Sequence, residues 1–213
     1  MRLVKLIQSS VDSICNLRLS DTSYPLSSDK LPYIPYIREA RRIYGKESLT
    51  LKDLTENNIS KTAIAVGDYP LDHHRDLDKD YSQIDFSTVH PFSIPFGTLI
   101  PLETKNILVV EKSISVSGMV NGCTRLQPVV MQLGQVAALA VCLAKKDNIN
   151  VDKINITLLQ DLILNVDGYL YPTHDVSPED PSFKDIQRNI RDGKIKLKYY
   201  SEGWVNKARI IYK

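Results

Sequence analysis

Cysteine is scarce in this chain of 213 residues. Cys15, Cys123 and Cys142 lie far apart and no C-x-x-C pair occurs. The chain alone therefore cannot build a cysteine-based zinc site or an iron–sulfur cluster. Cys142 falls in an apolar run, where a cysteine is usually a small core residue. We expect Cys142 to be buried and no metal site to be present.

An excess of charge of one sign is also lacking, because the formal net charge is only +2. This balance gives no indication of a nucleic-acid partner. Polar residues such as Lys5 and Asp12 interrupt Met1–Leu17, which therefore does not resemble a secretory signal. Gln132 and Gln135 interrupt the longest apolar helix, so we expect no membrane span. These features predict a cytoplasmic protein with no membrane partner.

The stretch from residue 106 to residue 146 predicts a strand, a glycine-bearing loop and a long apolar helix. Ile107–Val110 is apolar and does not alternate, which favours a strand covered on both faces. The predicted loop, Ser115–Thr124, contains Gly118, Asn121 and Gly122, which tolerate positive φ. Such a unit can present backbone N–H groups to an anionic ligand, but an ordinary β–α unit of a core has the same pattern.

The predicted helix runs from Arg125 to Lys146. Thr124 and Gln127 have the spacing of a capping box, and Pro128 falls in the first turn, where a missing N–H costs little. Two lysines at the far end suit the negative end of the helix dipole. Elsewhere the patterns predict helices over residues 3–17, 151–164 and 183–190, a strand over Ile64–Tyr69 and an extended segment over Phe92–Pro101.

An acidic run after residue 71 contains two adjacent histidines, His73 and His74. Its Asp-x-Asp-x-Asp part lacks the glycine and the glutamate of a calcium loop, since Tyr81 and Ser87 stand there. Neighbouring residues of an extended segment point to opposite faces, so at most one histidine would face a pocket. That histidine could carry protons near neutral pH, or it could simply hydrogen-bond a structural partner.

Several long strings resemble a family of FAD-dependent oxidoreductases that is common in Bacteroidetes and sometimes called xanthan lyases. The strings NILVVEKSISVS, NG-TRLQPVV and LGQVAALA lie within Asn106–Ala140 and resemble the C-terminal segment that contacts FAD. Upstream, LPYIPYIREARRIYG and IAVGDYPLDHH are also similar to the family. The family's N-terminal G-x-G-x-x-G fingerprint is absent, so the chain resembles the C-terminal part of a longer flavoprotein.

The resemblance implies an α/β fold: part of a glutathione-reductase-like FAD-binding fold, with antiparallel substrate-side strands and a helical C-terminal extension. It assigns residues 1–105 to the substrate side, 106–146 to the strand–loop–helix of the FAD-binding domain and 147–213 to the extension. The implied cofactor is FAD, and the implied partners are a small-molecule substrate and the missing N-terminal half.

The resemblance also implies site residues. Backbone N–H groups of Ser117–Gln127 would face the pyrimidine edge of the flavin, where the reduced form carries negative charge. The implied cofactor-binding residues are Glu111, Lys112, Ser117, Gly122, Thr124, Arg125 and Gln127, and the implied catalytic residues are His73, His74 and Arg41. Arg41 could hold a substrate carboxylate by its planar fork, or could be paired structurally.

Two other functions stay open on the sequence. The missing fingerprint is also compatible with a non-catalytic accessory or carbohydrate-binding module that keeps the fold. It is equally compatible with the product of a split gene that folds poorly alone. Retention of the Gly122 loop favours the flavoprotein, since a scaffold has less need of it.

Overall fold

The computed structural model describes residues 41–56, 59–71, 89–202 and 205–212. The predicted helix at residues 3–17 therefore lies outside the described residues. The helices and strands, in chain order, are α1 (Leu51–Thr55), β1 (Ala63–Gly67), β2 (Phe92–Pro95), α2 (Gly118–Thr124), α3 (Gln127–Asp147), α4 (Ile156–Asn165), α5 (Phe183–Arg191), β3 (Ile195–Glu202) and β4 (Val205–Tyr212).

The long helix α3 is the element around which the others pack. Its buried side chains recur every three or four residues and are Val129, Leu133, Val136, Ala140, Leu143 and Ala144. The helix ends at Asn148, which caps it in the left-handed conformation with a φ of 52°. The prediction of this helix is confirmed with its start moved two residues towards the C-terminus. The predicted capping box is wrong, because Leu126 is the N-cap and Thr124 belongs to α2.

Strands β1 and β2 form an antiparallel pair in which Gly67 lies opposite Phe92. The predicted strand at Ile64–Tyr69 is thus confirmed, although it ends two residues earlier, at Gly67. Two helix side chains hold the backbone of this strand: the Gln132 amide of α3 donates to the carbonyl of Ile64, and the Gln160 amide of α4 donates to that of Ala63. These bonds fix α3 and α4 against β1.

The prediction that Ile107–Val110 is a buried strand is wrong. The segment lies in no helix or strand, no described strand pairs with it, and Ile107 is 49% exposed. Its Val109 N–H donates to the carbonyl of Leu99 at 2.8 Å. A β-branched run gives the strand conformation, but the sequence cannot say whether a neighbouring strand is present.

The predicted loop from Ser115 to Thr124 is also wrong, because most of it is the helix α2. The Ser117 hydroxyl caps that helix by accepting a hydrogen bond from Val120 N–H. Gly122 is buried inside α2, and among the described glycines only Gly193 has a positive φ. Glycine at position 122 is therefore not needed for an unusual backbone angle.

The C-terminal extension is only partly helical. Residues 151–164, predicted as one helix, divide into a 3-10 turn at Val151–Lys153 and α4, whereas α5 matches its predicted bounds within one residue. The chain then forms an antiparallel hairpin of β3 and β4, which the sequence analysis did not predict. Alternation of Ile195 and Leu197 with lysines is the period-2 pattern that indicates such a strand.

Two expectations about α3 are corrected. By length and composition the helix is apolar enough to cross a membrane, although it contains Gln132 and Gln135. Gln132, however, donates to the carbonyls of Ile64 and Tyr169 inside the protein, so one side of the helix packs within the fold.

Cys142, expected in the core, is exposed on α3. The apolar run around it misled the interpretation, because this face of α3 is not covered by described residues.

Ionisation of Tyr171 makes the free energy of unfolding depend on pH. Its ring is fully buried, its hydroxyl donates to the carbonyl of Ser60 at 3.0 Å, and burial raises its pKa to about 12. The folded pKa lies above the unfolded value, so this contribution is complete below about pH 10 and is lost as the pH rises towards 12.

We therefore expect Tyr171→Phe to lower the free energy of unfolding by about 1 kcal/mol at pH 7. The variant should also lose less stability than the wild type between pH 10 and pH 12. Urea unfolding at pH 7, 10 and 11.5 measures both effects. Parallel losses in the two proteins across that alkaline range would contradict the assignment.

Candidate flavin-edge site

A short parallel pairing brings the segment around Leu49 beside the segment that precedes α2. Leu49 N–H donates to the carbonyl of Ser115 at 3.1 Å, and Ser117 N–H donates to the carbonyl of Leu49 at 2.9 Å. Ile43 N–H donates to the carbonyl of Ser113 at 3.0 Å. The bonds of this short ladder hold Ile43 beside Ser113, in the turn that leads to α2, and Leu49 beside the residues that immediately precede the helix.

The arginine that reaches α2 is Arg42. A Cβ placed on Gly118 would lie 3.4 Å from Nη2 of Arg42, so the guanidinium lies directly over the first residue of this helix. Arg42 is half-buried, whereas Arg41 is exposed. The structure thus does not support Arg41 as the residue that reaches the predicted site. Sequence could not separate the two, because the choice depends on the direction of each side chain in the ladder.

Glu111 and Lys112 lie in a 3-10 turn between the extended segment and α2. Glu111 has a φ of 69°, in the left-handed region that glycine adopts without strain. The Lys112 ammonium lies 3.4 Å from the Glu111 carboxylate, and its side chain is only 17% exposed. The turn therefore holds an ion pair between a half-exposed glutamate side chain and a mostly covered lysine side chain.

Asn121 is a site residue that the sequence analysis treated only as a loop former. Its side chain is fully buried, and its Nδ2 donates to the carbonyl of Lys112 at 2.9 Å. Its Oδ1 is buried and accepts no hydrogen bond from the described part of the chain. A buried acceptor of this kind is costly unless a donor reaches it. In the sequence, Asn121 stands out only by its place beside Gly122 in the string NG.

The remaining predicted cofactor residues serve different purposes. Gly122 and Thr124 are buried in α2, and the Thr124 hydroxyl donates back to the carbonyls of its own helix, 3.4 Å away. Arg125 is half-buried at the end of α2, and Gln127 is exposed at the start of α3. The structure therefore gathers Arg42, Lys112, Ser117 and Asn121 around α2. It does not bring Thr124 or Gln127 into that group.

His73 and His74 lie outside the described residues. A different histidine is found beside the end of β1: Nε2 of His174 lies 3.2 Å from Oδ2 of Asp68, and both side chains are a little over one third exposed. Burial raises the pKa of Asp68 above its usual value, and His174 opposes this rise. Two residues after Asp68, the carbonyl of Pro70 accepts a hydrogen bond from Sγ of Cys123 in α2. The pair is thus linked to α2 through a short stretch of chain.

A family model described as FAD dependent oxidoreductase matches residues 2–163. The chain belongs to the FAD-dependent oxidoreductase family. Neither the curated proteins nor the solved structures contain a match to it. The mixed helix and sheet architecture of this chain is consistent with an α/β FAD-oxidoreductase domain.

The residues around α2 fit one side of the cofactor that this family implies. The cation of Arg42 suits the electron-rich edge of a flavin, and the Asn121 acceptor, which no described donor reaches, suits an N–H donor. The Lys112 ammonium is already paired with the Glu111 carboxylate. The pyrophosphate of FAD is a different matter, since it is commonly held by a glycine-rich turn before a helix. The sequence of this chain contains no G-x-G-x-x-G, so the fit covers only part of the cofactor.

The left-handed conformation of Glu111 gives a prediction about stability. Replacing Glu111 by glycine should relieve about 1 kcal/mol of left-handed strain, partly offset by the greater freedom of glycine in the unfolded chain. We expect a small net gain of stability in thermal unfolding. The matched control is Glu103→Gly, at an exposed bend where φ is not positive, which should lower the melting temperature. A loss of stability in both variants would show that Glu111 is held by favourable contacts.

Proposed function

We propose that this chain is the C-terminal, flavin-edge part of an FAD-dependent oxidoreductase that acts on a small molecule. A separate dinucleotide-holding half would complete the cofactor site. The observation that carries the proposal is the group around α2, where the Arg42 guanidinium lies over Gly118 and the buried Asn121 Oδ1 accepts no hydrogen bond from the described residues, in a chain without a G-x-G-x-x-G turn. This arrangement supports one half of a cofactor site.

FAD, when bound, supplies the acceptor for a hydride from the substrate. The residues of this chain would act on that chemistry electrostatically. Arg42 would offset the negative charge of the reduced ring, with little cost of reorganisation because its guanidinium is already placed over α2. Lys112 would contribute less, because its ammonium is paired with the Glu111 carboxylate. In a glutathione-reductase-like arrangement, the extended segment Ile107–Val110, α2 and α3 would form the unit that closes the FAD-binding domain.

The pair of Asp68 and His174 is our candidate for moving the substrate proton. An imidazole that donates from Nε2 to a carboxylate leaves Nδ1 as an acceptor for a proton. Asp68 would hold the ring in that orientation. His73 and His74 stay alternative proton carriers, because nothing in the described part of the chain tests them.

Flavin retention tests the proposal directly. The isolated chain is mixed with FAD, passed through a desalting column and examined by visible absorption. We expect no stoichiometric flavin, because the pyrophosphate has no glycine-rich turn to hold it. Addition of the N-terminal half of a full-length member of the family should restore the yellow complex. Tight binding of FAD by the isolated chain would overturn the proposed division of the cofactor site.

The charge at Arg42 can be tested in the restored complex. Removal of a cation from the reduced flavin should lower the midpoint potential, by about 30 mV for an interaction worth about 1.4 kcal/mol. Arg42→Ala should show this shift, and Arg41→Ala should not, since Arg41 is exposed and its neighbour reaches α2. Equal midpoint potentials in Arg42→Ala and Arg41→Ala would show that Arg42 does not interact with the flavin.

A further inference from the structure

A surface cavity lies where the end of α5 and the start of β3 meet the segment that leads into β1. Its volume is about 740 Å³, within the range of about 300–1,000 Å³ that is usual for small-ligand sites. Its apolar lining comes from three isoleucines, Ile59, Ile190 and Ile195, of which the last two are buried. The cavity can therefore take the apolar part of a small organic molecule.

The charged lining of this cavity is biased towards cations. Lys61, Arg191 and Lys196 line it together with a single carboxylate, that of Asp192. The lining thus carries a formal net charge of +2, as much as the whole chain of 213 residues. A cavity with this charge favours a ligand that is an anion.

Arg191 is already bonded to two carboxylates. Its Nε lies 3.0 Å from Oδ1 of Asp192, and its Nη1 lies 3.4 Å from Oδ1 of Asp161. A planar carboxylate ligand is best held by two parallel N–H groups of a guanidinium, and each such pair on Arg191 already has one N–H in use.

The two lysines favour a different anion. Lys61 and Lys196 are exposed at the cavity, and the ion pairs among the described residues around it do not involve them. A lysine ammonium acts as a point charge with three rotatable donors and is a common partner of phosphate. The lining therefore suits a phosphate better than a carboxylate.

The backbone on both sides of the cavity is held in place by hydrogen bonds within the protein. The Gln160 amide of α4 donates to the carbonyl of Lys61 at 2.9 Å. On the opposite side, Gly193 N–H donates to the carbonyl of Ile190 at 3.0 Å, and the turn into β3 uses the positive φ of Gly193, 71°. A site whose walls are already ordered loses less entropy when a ligand binds.

We propose that this cavity binds a small phosphate monoester, with Lys61 and Lys196 contacting the phosphate and the organic group lying on the isoleucines. A phosphate monoester carries a charge of about −2 at pH 7, which matches the net charge of the lining. None of the lining residues belongs to the group around α2, so this inference does not rest on the proposed function.

Calorimetric titration of the full chain with phenyl phosphate, without flavin and in a phosphate-free buffer, tests the site. We expect saturable binding, which Lys61→Gln and Lys196→Gln should each weaken about tenfold through loss of one charged hydrogen bond. The matched control is Lys146→Gln, which removes the same charge from an exposed position of α3 and should bind like the wild type. Thermal unfolding without ligand checks that each variant folds.

Two further ligands test the two parts of the proposed site. Benzoate keeps the aromatic ring but carries a planar group with one charge, and inorganic phosphate keeps the phosphate without the ring. Each should bind about tenfold more weakly than phenyl phosphate, because each lacks one of the two sets of contacts.

Several results would overturn the proposal. Absence of phenyl phosphate binding, or full affinity in either Lys61→Gln or Lys196→Gln, would show that the cavity is not the site. Equal weakening in Lys146→Gln would show only a general attraction to a cationic surface. Benzoate that binds as tightly as phenyl phosphate would assign the cavity to carboxylates, and inorganic phosphate that binds as tightly would show that the isoleucines take no part.

Discussion

Replacement of Gln187 by leucine should lower the free energy of unfolding by about 4 kcal/mol, although the two side chains are similar in size. Gln187 is fully buried in α5. Its Oε1 accepts hydrogen bonds from the N–H groups of Leu170 and Tyr171, at 3.1 and 2.8 Å. Its Nε2 donates to the carbonyl of Tyr171 at 3.0 Å. Leucine leaves these three backbone groups without their partner, at a cost of about 1–3 kcal/mol for each group left unsatisfied.

Urea unfolding of the purified chain measures this loss. The matched control is Gln127→Leu, the same change at an exposed position of α3, which should alter stability by less than about 0.5 kcal/mol. Gln187→Glu should fall between them, because a carboxylate can still accept both N–H bonds but cannot donate to the Tyr171 carbonyl. A loss below 1 kcal/mol for Gln187→Leu would mean that water or a rearranged loop replaces the bonds.

Adding a single methyl group at Gly45 should destabilise the protein by about 2 kcal/mol or more. A Cβ there would lie 2.7 Å from Cβ of Ser115 and 2.8 Å from the carbonyl oxygen of Gly97. Backbone atoms on both sides cannot move away as the end of a flexible side chain can. Gly45→Ala should therefore push the ladder around Leu49 away from the segment that precedes α2.

The control is Gly134→Ala, which should raise stability where Gly45→Ala lowers it. Gly134 is exposed in α3, and a Cβ placed there meets nothing within 4 Å. Gly134→Ala should stabilise the helix by about 1 kcal/mol, because alanine is the better helix former. Thermal unfolding of both variants measures the difference. If Gly45→Ala is as stable as the wild type, the close approach of Gly45 to Gly97 is not required by the fold.

The elements that sequence predicted best are those whose own periodicity determines them. The apolar spacing of α3 and the amphipathic pattern of α5 gave bounds within one or two residues. The segment Ile107–Val110 failed for a different reason. Its residues favour an extended backbone, but pairing depends on a neighbouring strand that the described part of the chain does not supply. A local pattern predicts conformation, not the presence of a partner.

The site was predicted less well than the fold because its members come from distant segments. Lys112 and Ser117 are close in sequence to α2 and could be proposed from the family strings. Arg42 lies next to Ile43, whose N–H bond to the carbonyl of Ser113 joins two distant segments, and no periodicity indicates its contact with Gly118. The pair of Asp68 and His174 joins residues more than one hundred positions apart. Contacts of this kind follow from the tertiary fold and have no local signal.

The bonds of Gln187 have a consequence for the dynamics of the loop they hold. Leu170 and Tyr171 lie in no helix or strand, and amide hydrogens in such loops usually exchange with solvent quickly. Here both N–H groups are buried and bonded to a side chain of α5. Their exchange with deuterium then requires α5 to leave its place, so these two loop amides should exchange as slowly as those of the helix core.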